Sequence, residues 1–443
     1  MVRALIALAL ALFAAQLGCA PGESLATASA SAGTDDTDGT STGIAAEGCG
    51  GDATGEVFVY AEGSLVDPSD PDRALWTTPR QACELAMIVD FDVAADGSIY
   101  VLSTAFLHET ACIGACPWRY ELRRLSAAAA ELWTVDFALP MHEPRALRAV
   151  EGGVAVGGAV NLGADRRPWL ARYDHSGALL WEETFAAQGQ VTAVAGGPGD
   201  VVVAVGQLED EDGDELWAVQ RSADGASDWS FPLEDAQEDA ALAVAVDAAG
   251  RVWIAGGREP SSDYPIPYYS PDDEYAWWDV FPESFTRDVA TDRPFIALLD
   301  PQGSLLWLDE PEPSAPTWCT GQAIDLLPGG DAIMGLSWFG AAAKDVYRYA
   351  PDGAQRWSVE VTPDADAPDY VDLDALACDG AGRCHLLIGG HVVQLDDAGA
   401  VVGALAPGTA GTELALTPTN APRVSQWRKL GAYYDSWHFP PPD

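Results

Sequence analysis

Two stretches of this chain gather side chains able to bind something. The first is Glu209-Asp210-Glu211-Asp212-Gly213-Asp214-Glu215. Dense carboxylate oxygens suit a hard divalent cation, so Asp210, Asp212 and Asp214 are candidate Ca²⁺ ligands. The EF-hand register is missing, because Leu208 and Val219 stand where first and last ligands would fall. A solvated acidic loop is therefore the competing reading. The second stretch, 259–294, interleaves Tyr264, Tyr268, Tyr269, Tyr275, Trp277 and Trp278 with Asp272 and Asp273. Aromatic faces match sugar rings or a peptide, and carboxylates match hydroxyls or a cation. The competing reading is a lid whose aromatic rings form a small core of their own.

The cysteines argue for an oxidising compartment. Cys112 and Cys116 are close in sequence, as are Cys378 and Cys384, and both pairs are read as disulfides. The second pair would clamp the turn at Asp379-Gly380-Ala381-Gly382. A metal site of Cys112, Cys116 and His108 is the weaker alternative, since a single His and an oxidising compartment favour the disulfide. Cys49, Cys83 and Cys319 cannot be paired from sequence. Support for catalysis is thin. Each His stands apart from any recognisable nucleophile, and no phosphate loop, dinucleotide fingerprint, nucleophile elbow or paired-His zinc helix occurs. No catalytic residue is assigned, and no cofactor is expected beyond a possible role for Ca²⁺.

A repeated unit must position these stretches. Its first half is a small apolar strand, a Gly-centred turn and a second apolar strand, as from Val244 to Gly256. Its second half is a strand, a polar turn ending in Gly, and a Trp four residues later. Gly177 and Trp181, Gly225 and Trp229, Gly303 and Trp307, and Gly353 and Trp357 follow that rule. Gly403 replaces the Trp of the last copy. Four short strands every ~40–50 residues is the pattern of a propeller blade, and a unit unable to bury its own faces must stack on its neighbours. The fold expected is all-β: a β-propeller of four-stranded blades, seven in number, with six and eight as alternatives. The ring would be closed by strands from both chain ends, which removes an open sheet edge. Leu414 to Leu416 and Arg423 to Leu430 would supply inner strands, Ala432 to Phe439 a third, and Glu56 to Tyr60 the outer strand.

The Asp, turn Gly and Trp of each unit, clearest at Asp174, Gly177, Trp181 and at Asp300, Gly303, Trp307, resemble pyrroloquinoline-quinone-type propeller repeats over about residues 88 to 405. The resemblance implies the fold and carries no particular function. At the N-terminus, Arg3 precedes the apolar run Ala4 to Ala15, and Gly18-Cys19 follows. This resembles the lipobox of bacterial lipoproteins, which implies lipidation of Cys19. Ala20 in the next position implies an outer-membrane destination rather than inner-membrane retention. Residues 1–18 would be the signal peptide, 19–48 a Ser/Thr/Ala/Gly/Asp tether too polar to fold, and 49–443 one propeller domain. Ordinary secretion is the alternative if the lipobox is not used.

The formal charge is -45, from 23 Lys+Arg against 68 Asp+Glu. Nucleic acid is thereby excluded as an expected partner, because phosphates would be repelled. Extra length collects in connections between second and third strands or between blades, which share one face. The function expected is a surface-tethered lipoprotein propeller, a binding or scaffold module for a protein or glycan that works through its long-loop face. It would contact the membrane only by its lipid. The alternative is a hydrolase or lyase with its site at the mouth of the axial channel.

Overall fold

The computed structural model describes residues 60–79, 84–107, 118–137, 142–162, 165–209, 214–232, 239–258, 293–314, 319–338, 343–363, 373–405 and 411–430. All regular structure among them is β. Six blades follow in chain order, each an antiparallel sheet. Blade 1 is β1 (Glu84–Val93), β2 (Ile99–Leu107), β3 (Trp118–Leu125) and β4 (Glu131–Asp136). Blade 2 is β5 (His142–Val150), β6 (Gly153–Leu162), β7 (Asp165–Asp174) and β8 (Leu179–Thr184). Blade 3 is β9 (Gln188–Gly197), β10 (Val201–Glu209), β11 (Asp214–Arg221) and β12 (Ser227–Pro232). Blade 4 is β13 (Asp239–Val246), β14 (Val252–Arg258), β15 (Arg293–Leu299) and β16 (Leu305–Asp309). Blade 5 is β17 (Cys319–Leu326), β18 (Ala332–Trp338), β19 (Lys344–Tyr349) and β20 (Gln355–Val361). Blade 6 is β21 (Leu373–Cys378), β22 (Cys384–Ile388), β23 (His391–Leu395) and β24 (Val401–Leu405).

Blade 7 is composite. The late part of the chain supplies β25 (Gly411–Leu416) and β26 (Pro422–Leu430), and the early part supplies β27 (Tyr60–Asp67) and β28 (Asp70–Thr77). β27 pairs with β26 from Tyr60↔Leu430 to Val66↔Val424, so the join is long and antiparallel. This corrects one expectation. The early strands take both outer positions, not one; the first is described from Tyr60, and Glu56 to Val59 lie outside the described residues. The place foreseen for Ala432 to Phe439 is filled by β27, and those residues lie outside the described ones. First strands touch first strands around a closed circuit from β1 through β25 and back. Seven apolar clusters fill the seven interfaces between blades. The count is therefore seven.

The Asp–Gly–Trp signature is explained by the turns. Asp300 accepts hydrogen bonds at Oδ1 from the backbone N–H of Gln302 (2.9 Å) and Ser304 (2.8 Å), which holds the third-to-fourth turn. Asp174 and Asp396 do the same in their blades. Gly303 takes φ +79°, and a Cβ there would meet the Trp229 ring at 2.6 Å. That ring belongs to the preceding blade. The contact recurs as Trp133 on Gly177, Trp181 on Gly225, Trp307 on Gly353 and Trp357 on Gly399. Each indole N–H also donates to a carbonyl of the same turn: His175, Ala223, Pro301, Pro351 or Asp397. Five interfaces are latched in this way.

The two interfaces flanking blade 7 differ. Blade 6 has Gly403 where the Trp would stand. Trp76 is present at the other, but the blade 1 turn offers Ala129 (φ 60°) instead of Gly. A small cavity of about 180 Å³ lies there, between Leu75 and the Ala127–Ala129 turn. The Cys378–Cys384 disulfide is formed across register partners of β21 and β22, as expected. Cys112, Cys116, Cys49 and Cys83 lie outside the described residues.

Candidate functional site: the long-loop face and the ring axis

Strand direction sorts the connections. Turns between first and second and between third and fourth strands form one face, tight and stapled by the aspartates and indoles above. The chain leaves every blade for its longer connections on the opposite face. At the root of the large insertion, β14 ends at Arg258 and β15 begins at Arg293, and these residues are register partners. Glu310 takes Arg258 Nη1 at 2.7 Å on one oxygen and Arg293 Nη1 at 3.7 Å on the other. An ion-pair clasp thus fixes the two points from which the insertion departs. Tyr264, Tyr268, Tyr269, Asp272, Asp273, Tyr275, Trp277 and Trp278 lie outside the described residues. So do Asp210 and Asp212. Asp214 opens β11 opposite Glu209, so the two strand ends that flank the acidic stretch lie on the same face. Among the described residues no group of three His, Cys, Asp or Glu is arranged to hold a metal.

The ring axis carries charge that the sequence reading overlooked. A bulge interrupts each inner strand at a matching place, as between Ile88 and Asp90, Pro144 and Ala146, or Leu373 and Ala375. Near these bulges stand Asp90 and Asp92 on β1, Arg148 on β5, Asp325 on β17, Asp374 on β21 and Glu413 on β25. Apart from one parallel bridge between β27 and β1 at Glu62↔Ala86, the inner strands among the described residues leave their axial edge unpaired by other strands, and its N–H groups need acceptors. Carboxylates of one blade supply them to another. Asp90 Oδ2 accepts from Leu147 N (2.6 Å), Asp92 Oδ2 from Ala149 N (2.9 Å) and Asp325 Oδ2 from Cys378 N (2.7 Å). Arg148, half exposed, sits 3.3 Å from Asp92.

Burial and crowding set the titration of this group. Burial, with the charge of Asp92 adding to it, pushes the Asp90 carboxyl up to about 7. Burial and the nearby Asp90 and Asp374 hold Glu413 well above the ordinary range. Burial also raises Asp325, against the pull of Arg148. Arg148 is itself held protonated more firmly, chiefly by Asp92. Towards the long-loop face, Glu143 accepts from Arg145 (3.3 Å) and from Arg166 (3.0 Å) on separate oxygens. Burial and the like charge of Arg166 lower the Arg145 value. Tyr120 completes this cluster, its hydroxyl pushed up to about 12 mainly by burial.

The signal that could have revealed the axial group is simple in hindsight. Inner strands are rich in Val, Ala, Gly and Leu, so an Asp, Glu or Arg in the middle of one is out of place unless it faces the axis or caps an edge.

No family model matches the chain, and no curated protein sequence matches it. Solved structures do. The WD40 domain of Pan2 from Neurospora crassa aligns at 8% identity and TM-score 0.45, over 84% of this chain and 97% of that one. Sqt1 from Chaetomium thermophilum aligns at 13% identity and TM-score 0.45, over 78% and 96%. A protein from Lactobacillus plantarum aligns at 11% identity and TM-score 0.46, over 68% and 82%.

Proposed function

We propose that this chain is a surface-tethered lipoprotein whose propeller is a binding or scaffold module, and that it recognises a protein or glycan through the long-loop face. Cys19 would carry the lipid, and residues 19–48 would hold the propeller on the order of 30 Å from the bilayer. A bacterial outer membrane is the proposed location. The observation that carries the reading is the contrast between the two faces. One is closed by short, side-chain-stapled turns. The other receives every long connection, including the aromatic and acidic segment rooted at the Arg258–Glu310–Arg293 clasp. In repeat arrays, length added on one side is commonly the binding side.

The test uses the whole chain and a variant lacking residues 263–292, both screened on a glycan array and against immobilised envelope proteins. The reading expects a saturable ligand for the whole chain, lost in the variant, with the melting transition moved by less than about 3 °C. Collapse of the fold on deletion would show that the segment is a packed lid. The alternative, a hydrolase or lyase at the channel mouth, finds one favourable observation in the Asp90 carboxyl, pushed up to about 7, beside Glu413, which burial also holds above the ordinary range. Turnover of a glycan or ester panel that vanishes in Asp90→Asn would favour it.

A further inference from the structure

Among the described residues the outermost strand of each blade pairs on one edge only, and most of these open edges are guarded. Each of β4, β8, β12, β16, β20 and β28 contains at least one charged residue, and β12 and β28 also contain Pro. Charge and Pro on an edge discourage further strand pairing. Blade 6 breaks the rule. Its outer strand β24 reads Val401-Val402-Gly403-Ala404-Leu405, with no charge and no Pro. Val401 and Val402 are each 53% exposed and Leu405 is 41% exposed. In a chain of charge -45 an uncharged exposed edge is out of character.

Gly403 adds an independent observation. Five outer strands use the matching position for the Trp that latches the next blade. Here the latch is given up, yet nothing inside the fold asks for glycine. A Cβ at Gly403 would meet only the Gln394 side chain, at 3.5 Å from Oε1 and 3.9 Å from Cβ, both ordinary contacts, and its backbone is not in the left-handed region. Glycine within a strand often marks a place where another backbone comes close. Among the described residues β24 is bonded on one side only, to β23, with Val392↔Leu405, Val393↔Ala404 and Gln394↔Gly403 in register.

We infer that β24 is a strand-addition site, which captures an extended segment of another polypeptide, apolar and β-branched at its centre and basic at its flanks. Main-chain hydrogen bonds to the free edge would give affinity, and contact with Val401, Val402 and Leu405 would select β-branched side chains. The basic flanks follow from charge complementarity. A body at -45 attracts cationic segments over long range and repels a second copy of itself. The site is on the rim of the ring, apart from the long-loop face, and it stands or falls separately from the reading of that face.

The probe is a synthetic ten-residue peptide of alternating valine and threonine with two lysines at each end. A control peptide has the same lysines with prolines replacing alternate central residues. The experiment is hydrogen exchange of the full chain, read at residues 401–405. The inference expects at least tenfold slower exchange of β24 amides with the first peptide and none with the second, in 0.15 M salt. Val402→Lys, which restores a guard charge at an exposed position, should weaken binding at least tenfold with an unchanged melting temperature. If that variant fails to fold, Val401→Lys serves in its place, and the wild-type exchange result decides without either. Equal binding of both peptides would reduce the effect to charge attraction and overturn the inference. So would an absence of protection at saturating peptide, or protection of β24 by self-association of the protein alone.

Discussion

At the residue scale, Gly303 and Asp90 show how position decides a side chain's meaning. Gly303 combines a left-handed φ with an indole lying where a Cβ would go. Gly303→Ala should cost about 2–4 kcal/mol, from backbone strain and from displacement of Trp229. Calorimetric or denaturant unfolding measures this, and Gly329→Ala, which meets nothing within 4 Å, is the control. Asp90 governs pH dependence. Its folded value is raised to about 7 from 3.8, so the folded state binds the extra proton between those values. Stability is then greatest at the acid end of the window and falls as pH rises through it. The turn aspartates Asp96, Asp174 and Asp224 act oppositely. The hydroxyls of Ser98, Ser176 and Ser222, aided by backbone N–H donors, hold their carboxyls below the usual range, and their contribution is lost as pH falls below about 4. The melting temperature should therefore peak in mildly acidic solution, near pH 4–5. Asp90→Asn keeps an acceptor for Leu147 N and should regain about 4 kcal/mol at pH 8 relative to pH 4.

At the element scale, blade 7 is the seam. It joins strands from both parts of the chain and sits between the two interfaces without a Trp–Gly latch. Local opening follows the least supported contacts. β25 to β28 should exchange their amides before any other blade, and Trp133→Leu should bring the blade 1 and 2 interface to a similar rate. Slower exchange in blade 7 than in blade 4 would contradict this. The elements themselves were largely legible in the sequence. The Asp turns, the Gly at each turn and the Trp spacing gave blade after blade, and Cys378 and Cys384 gave a hairpin clamp. The partners of these residues were not legible. Gly177 and Trp181 stand four residues apart, yet Gly177 meets Trp133 of the previous blade. The axial carboxylates escaped notice for a related reason. Asp90 serves Leu147, which is distant in sequence and adjacent only once the ring has closed. Strand patterning reports burial within one sheet and carries no signal for a contact between sheets.

At the scale of the whole molecule, the ring divides work between its surfaces. Side chains are spent on the short-turn face to lock neighbouring blades, through indoles and through arginines such as Arg124 and Arg348. Arg348 binds Asp331 in its own blade and the carbonyl of Asp397 in the next. Such a face is poorly free to adapt to a ligand. The opposite face carries the added length and the charged mouth formed by Glu143, Arg145 and Arg166. With a formal charge of -45, binding of any cationic ligand should weaken steeply as salt rises from 0.05 to 0.5 M. The most direct measurement of the central claim is hydrogen exchange of the full chain with and without a ligand found on the glycan or envelope-protein screen. The account expects protection at strand ends on the long-loop face, around residues 160–166, 207–215, 257–258 and 293–294. Protection confined to the short turns at 94–98, 174–178, 222–226 and 300–304 would contradict it.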